Sequence, residues 1–291
     1  MNTPVSILIP AFNEEQGLPP VLRALLAEEA LAGAEIIVVD DGSRDGTAAA
    51  VAAFPQVRLV RHRVNRGYGS AIRSAAQVAK GELIAWYDAD GQHRVEDLLK
   101  VLAAMRAGEL DYCIGIRDAA SHQVANRKFG KWILRRVVEW AAGQPVSDFN
   151  SGLRAFRREV LNRYVHLLPK GFGASTTTTL LMAERSYNGG EVPITVLERV
   201  GKSSVKQFRD GCRTLMIILR ILLIFKPLQF FGRIGGGLLV IGALYGAVNA
   251  FATKTGFPVL AVAIMIIGIQ ALFFGLIADQ ISALRREGFE R

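Results

Sequence analysis

Two carboxylates one residue apart, Asp88 and Asp90, directly follow the apolar run Leu83-Ile84-Ala85-Trp86-Tyr87. In extended chain their oxygens turn toward a common exposed edge, where a hard divalent cation is the natural partner. Mg²⁺ or Mn²⁺ held by one or two carboxylates keeps positions open for phosphate oxygens. Gln92 can add a third oxygen, so the predicted metal set is Asp88, Asp90 and Gln92. Taken alone, the triplet also fits a solvated turn or a helix cap; its place at the end of a strand favours the cation. Asp40-Asp41-Gly42-Ser43 ends an earlier apolar run in the same way. A carboxylate there can accept hydrogen bonds from ribose hydroxyls or a base N–H, although the same residue types suit an N-cap and turn. A third group is basic: Arg117, Arg127, Lys131, Arg199 and Lys202 can neutralise a phosphate, with arginine favoured for bidentate contact. The four histidines show no metal-ligand spacing, and His93, near the carboxylates, reads as structural.

The elements that must position these groups alternate. Val5 to Pro10, Glu35 to Val39, Val57 to Val60, Leu83 to Tyr87 and Asp111 to Ile116 read as strands. Helices are predicted through Leu18, Val21, Leu22, Leu25 and Leu26, and over Thr47 to Phe54, Gly69 to Ala79 and Val95 to Ala107. Nearly all-apolar strands alternating with helices imply a mostly parallel central sheet covered on both faces, with ligands bound beyond the strands' carboxyl ends. The polar turn Ser147-Asp148-Phe149-Asn150-Ser151-Gly152 is followed by a helix beginning near Arg157, and Glu191 to Val196 reads as an edge strand because of Pro193. No role is legible in the run Gly171 to Thr179. Gly67-Tyr68-Gly69 lacks the third glycine of a dinucleotide fingerprint and follows the third strand, which argues against a dehydrogenase.

Charge nearly vanishes from about Ile234 to Ala278. The stretches 234–252 and 257–278 each reach roughly 30 Å as helices, the thickness of a bilayer core. Basic residues before and after them place both chain ends in the cytoplasm by the positive-inside rule. The expected domains are therefore a cytoplasmic α/β unit over 1–205, a juxtamembrane amphipathic helix over 206–227, two transmembrane helices within 228–280 and a cytoplasmic tail over 281–291. Asn249 and Gln270, each alone in a span, are expected to bond between the helices. The net charge of +9 suits an anionic lipid or substrate, and with membrane spans present it is not read as a nucleic-acid signal. Two distant cysteines give no disulfide framework or zinc spacing and fit a reducing compartment.

The motifs IPAFNEE, VVDDGSRDGT, NRGYGSAI, DADGQH, DFNSGLRAFRREV and EVPITVLERVGKSS, in this order between Ser6 and Lys206, resemble the family 2 glycosyltransferases. Within them the chain resembles the polyprenyl-phosphate and dolichyl-phosphate sugar synthases. The resemblance implies a GT-A fold, inversion at the sugar's anomeric carbon and a Mg²⁺ or Mn²⁺ cofactor. It places Pro10, Phe12, Glu14, Asp40 or Asp41, and Asp88 around a UDP- or GDP-sugar, and Asp88, Asp90 and Gln92 on the metal. Arg117 and Arg127 match acceptor-phosphate positions, and Asp148 matches a position important for catalysis, beside Arg117 and Asp90. Members that glycosylate hydroxyls often carry an acidic base near the helix where this chain has Thr176 to Thr179. A lipid phosphate is already an anion at neutral pH and needs positioning more than deprotonation. The expected activity is sugar transfer to a polyprenyl phosphate at the cytoplasmic face of the inner (plasma) membrane. Alternatives are a transferase acting on a glycolipid or polysaccharide hydroxyl, and a non-catalytic membrane scaffold. Two spans also make a homo-oligomer plausible.

Overall fold

The computed structural model describes residues 4–118, 135–140, 143, 145, 148–171, 173–197, 216, 219–220, 223, 225–254 and 256–287. The chain divides into two compact units, Met1–Asp210 and Gly211–Arg291.

In the first unit the strands are β1 (Val5–Ala11), β2 (Glu35–Asp40), β3 (Arg58–Arg61), β4 (Leu83–Trp86), β5 (Tyr112–Arg117), β6 (Arg154–Arg157) and β7 (Gly189–Ile194). They form one sheet in the order β3-β2-β1-β4-β6-β5-β7. The helices α1 (Leu18–Ala27), α2 (Thr47–Ala52), α3 (Tyr68–Val78), α4 (Val95–Ala107), α5 (Arg158–Tyr164) and α6 (Ala174–Glu184) cover it. β1 pairs in parallel with both β2 and β4, and its side chains are buried on both faces, which is why it reads as an unbroken apolar run. Val5, Ile7 and Ile9 pack with Leu18, Leu22 and Leu25 of α1 and Leu98, Leu102 and Met105 of α4 in one core. α1 starts on prolines at its first turn, where no N–H is needed, and α4 carries Glu96 and Asp97 in its first turn, toward the positive end of the helix dipole.

The structure departs from the sequence expectation at β6. The helix predicted near Arg157 is preceded by a strand, Arg154–Arg157, inserted antiparallel between β4 and β5. Only four residues long and carrying an arginine at each end, it lacks the apolar signature of its neighbours. Its direction matters for function: an antiparallel strand brings the loop before it, not after it, to the edge where β4 and β5 end. β7 occupies the sheet edge as expected, two residues earlier than its apolar pattern suggested.

In the second unit α7 (Pro227–Thr253) and α8 (Val259–Glu287) form a hairpin, and Pro227–Thr253 and Val259–Leu284 are long and apolar enough to cross a membrane. Close backbone approach joins them: a Cβ on Gly235 would lie 2.6 Å from the carbonyl oxygen of Gly268. The expected interhelical bond of Asn249 is not the one observed, because its amide donates to Tyr245 O within its own helix at 3.4 Å. The predicted juxtamembrane helix lies mostly outside the described residues.

Candidate active site

The carboxyl ends of β1, β2, β4 and β5 converge with the loop entering β6. The first two loops are laced together. Asn13, in a left-handed conformation at φ 56°, donates its N–H to Ser43 Oγ at 3.0 Å and accepts from Arg44 N at 2.9 Å. Glu14 N donates to Thr47 Oγ1 at 2.9 Å. Pro10 and Glu14 are half-buried on this edge, and Phe12 is exposed.

Asp40 is fully buried, accepting from Ser43 N at 2.8 Å and Arg61 Nε at 3.3 Å. Asp41 accepts from His62 Nδ1 at 2.6 Å, Arg66 N at 2.9 Å and Gly67 N at 2.7 Å. Asp41 therefore anchors the entry to α3, and both aspartates shape the loops of the expected nucleotide pocket from within.

Asp88 receives the Tyr68 hydroxyl on Oδ1 at 3.1 Å and has His93 Nε2 at 3.5 Å from Oδ2. Burial works against its charge, but His93, Tyr68 and Arg154 outweigh that and hold its carboxyl below the usual carboxylate range. Burial, together with the negative charge of Asp88, pushes the Tyr68 phenol well above its ordinary value, so it stays a donor. The backbone of Gly152 touches the same carboxylate: a Cβ there would lie 2.0 Å from Asp88 Oδ2, so the approach requires glycine. Asp90 is 9% exposed and accepts from Gln92 N at 3.2 Å. Gln92 donates its side-chain amide to Leu197 O at 3.1 Å, which turns its amide oxygen away from that bond. Two carboxylates on one turn, with the side chain of Gln92 two residues on, fit a hard cation whose remaining positions a diphosphate would fill. Among the described residues no cluster of three or more His, Cys, Asp or Glu forms a complete protein cage.

On the other side, Arg117 ends β5 and grips Asp148 with two bonds, Nε to Oδ2 at 2.6 Å and Nη2 to Oδ1 at 2.8 Å. Burial disfavours the charge of Asp148, yet Arg117 and the N–H of Asn150 hold its carboxyl below the usual range. The other expected phosphate-binding residues, Arg127, Lys131, Arg199 and Lys202, lie outside the described residues.

Sequence reasoning missed Arg154. Fully buried on β6, it donates to Ser151 O from Nε at 3.0 Å and from Nη2 at 2.6 Å. Its Nη1 reaches Ser175 O at 2.8 Å, Thr178 Oγ1 at 2.9 Å and Thr179 Oγ1 at 3.2 Å. The guanidinium lies 5.6 Å from the ring centre of Trp86. Burial lowers its pKa to about 10, so it stays charged at neutral pH. Two hydroxyls of the threonine run, those of Thr178 and Thr179, thus solvate a buried cation. The signal available was an arginine set among apolar residues in Leu153-Arg154-Ala155-Phe156. Tyr68 and His93 also belong to the site, His93 as a neighbour of Asp88.

Residues 6–165 match the glycosyl transferase family 2, and residues 226–284 match the GtrB C-terminal hairpin. Glycosyltransferase AglJ of Haloferax volcanii is 30% identical over 305 residues, covering 100% of this chain and 98% of its own. The undecaprenyl-phosphate 4-deoxy-4-formamido-L-arabinose transferase of Shewanella sediminis is 28% identical over 296 residues, covering 96% of this chain and 87% of its own. Glucosyl-3-phosphoglycerate synthase from Mycobacterium tuberculosis, crystallised with Mn²⁺, UDP-glucose and phosphoglyceric acid, shares the fold at a TM-score of 0.62 and 20% identity, over 76% of this chain and 79% of that one. The sheet is that of a GT-A-type glycosyltransferase. The chain belongs to glycosyl transferase family 2.

Proposed function

We propose that this enzyme transfers a sugar, with inversion, from a UDP- or GDP-sugar to a polyprenyl phosphate at the cytoplasmic face of the membrane. The observation that carries this reading is the composition of the site opposite the acidic turn. Where an acidic base is expected for a hydroxyl acceptor, α6 presents Ser175 to Thr179, and two of these hydroxyls bond to a buried arginine. Asp148 is held ionised in an ion pair with Arg117. Such a site positions an acceptor that arrives as an anion. The full-length likeness to a transferase named for undecaprenyl phosphate, and the apolar hairpin, support the same acceptor class.

In this reading an acceptor phosphate oxygen attacks the anomeric carbon in line; the new O–C bond forms as the bond to the nucleoside diphosphate breaks. Asp88, Asp90 and the amide oxygen of Gln92 would hold Mg²⁺ or Mn²⁺, which offsets charge on the departing diphosphate when bound. Tyr68 and His93 keep Asp88 oriented. Arg117 would meet the acceptor phosphate, with Arg127, Lys131, Arg199 and Lys202 adding positive charge. Pro10, Phe12, Glu14 and the loops anchored by Asp40 and Asp41 would surround the nucleotide.

The test uses the full-length protein in detergent with radiolabelled UDP- and GDP-sugars, offering polyprenyl phosphate, polyprenol and glycolipid in parallel. A labelled lipid is expected with the phosphate alone; transfer to a hydroxyl acceptor instead would overturn the reading. In a Cys212→Ser background, Lys254→Cys is expected to be labelled by an impermeant thiol reagent added outside the cell; labelling only after lysis would overturn the cytoplasmic placement of the chain ends.

A further inference from the structure

A buried guanidinium whose five hydrogen bonds all end on neutral oxygens is a costly way to stabilise a fold. Replacing buried charges by well-packed apolar side chains is often neutral or stabilising, so stability alone gives little reason for Arg154. Its partners suggest the reason. Nε and Nη2 converge on Ser151 O, in the turn that presents Asp148 and Gly152. Nη1 holds Ser175 O and two threonines at the start of α6. The planar fork joins two segments that the sheet itself does not connect, and it lies over the Trp86 ring. From that turn Gly152 abuts Asp88, and Asp148 reaches Arg117.

We infer that Arg154 is a positioning residue for sugar transfer: through Ser151 and the N-terminal turn of α6 it sets the distance between the Asp88 side of the site and the Arg117–Asp148 side. The fork geometry does this, not the charge alone. A lysine keeps the charge but cannot span both segments in one plane.

The inference rests on the proposed placement of donor and acceptor on those two sides. Its test is read as nucleoside diphosphate release with whichever acceptor the parent enzyme uses, so failure of the lipid-phosphate reading changes the acceptor and not the comparison. Full-length Arg154→Lys and Thr178→Val are measured for kcat and donor KM per folded enzyme, beside thermal unfolding in detergent. Small misplacement of reacting groups costs about 100-fold in rate, which is the fall in kcat expected for Arg154→Lys, with donor KM within about threefold. Thr178→Val removes one acceptor of Nη1 and is expected to lose about fivefold in kcat, the scale of one hydrogen bond. If folded Arg154→Lys and Thr178→Val both turn over within twofold of the parent and differ only in unfolding temperature, Arg154 is merely structural. Should Arg154→Lys fail to fold, Thr178→Val decides alone, since it leaves the arginine in place.

Discussion

Arg117 and Asp148, 31 positions apart in the chain, are joined by two parallel charge-assisted bonds of 2.6 and 2.8 Å. The pair brings together a residue expected to bind the acceptor phosphate and one expected to be important for catalysis. A phosphate arriving at Arg117 would compete with the Asp148 carboxylate for the same fork.

The two residues should therefore act as a unit. Arg117→Ala and Asp148→Ala are each expected to lower kcat/KM for the acceptor strongly, since each leaves its partner unpaired. The double variant should be less impaired than the sum of the two, with a coupling of about 1–3 kcal/mol in activation free energy. Simple additivity in the steady-state cycle would show that the pair is not used together. Arg117→Lys should raise acceptor KM, because an ammonium lacks the planar fork.

Asp90 stands on the edge where a cation and a diphosphate would meet. Asp90→Ala is expected to reduce transfer by at least about 100-fold, the scale of losing one electrostatic stabiliser of a leaving group. Membrane extraction behaviour and circular dichroism should be unchanged. Chelation of the parent enzyme should abolish turnover and added Mg²⁺ or Mn²⁺ should restore it; activity that persists in EDTA would remove the metal from the mechanism.

Gly152 offers a steric test of the same edge. In Gly152→Ala the new methyl group would start 2.0 Å from Asp88 Oδ2, so the carboxylate must rotate away from Tyr68 and His93. A fall in kcat of about 10- to 100-fold is expected from such a displacement, with more Mg²⁺ needed for half-maximal rate. Gly171→Ala, where a Cβ would meet nothing within 4 Å, serves as the control and should be silent.

Acid stability should report Asp148. Its carboxyl titrates below the usual range when folded, through Arg117 and Asn150, despite burial. A group depressed in this way contributes its full stabilisation above the unfolded value near about 4 and loses it as the pH falls through the folded value. Asp148→Asn is expected to unfold at a lower temperature than the parent at pH 7. That difference should shrink as the pH is lowered below about 4. Equal differences at pH 7 and at pH 3 in thermal melts of the full chain would contradict the assignment.

Much of this protein is readable from its sequence, because the relevant signals are local. Buried parallel strands must be apolar on both faces, so β1, β2 and β4 and the acidic turns at their ends stand out, and α4 begins and ends where its periodicity says, at Val95 and Ala107. The hairpin is legible for a similar reason, since charge is costly within a bilayer core and long apolar stretches with so little of it stand out along the chain. β6 was not legible: four residues in a strand, two of them arginine, carry too little pattern to distinguish them from a turn leading into a helix.

The amino-acid sequence by itself determined the family and with it the class of chemistry, through the ordered motifs between Ser6 and Lys206, and it marked two helices long and apolar enough to cross a membrane. Tertiary structure alone decided how these groups are held. Tyr68, Gly152 and Arg154 are far from Asp88 in the chain, and only the antiparallel insertion of β6 brings the Asp148 turn to the edge where β4 and β5 end. Thr178 and Thr179 of α6 acquire a purpose only once a buried guanidinium needs oxygen partners, a requirement set by desolvation in three dimensions that no spacing along the chain expresses.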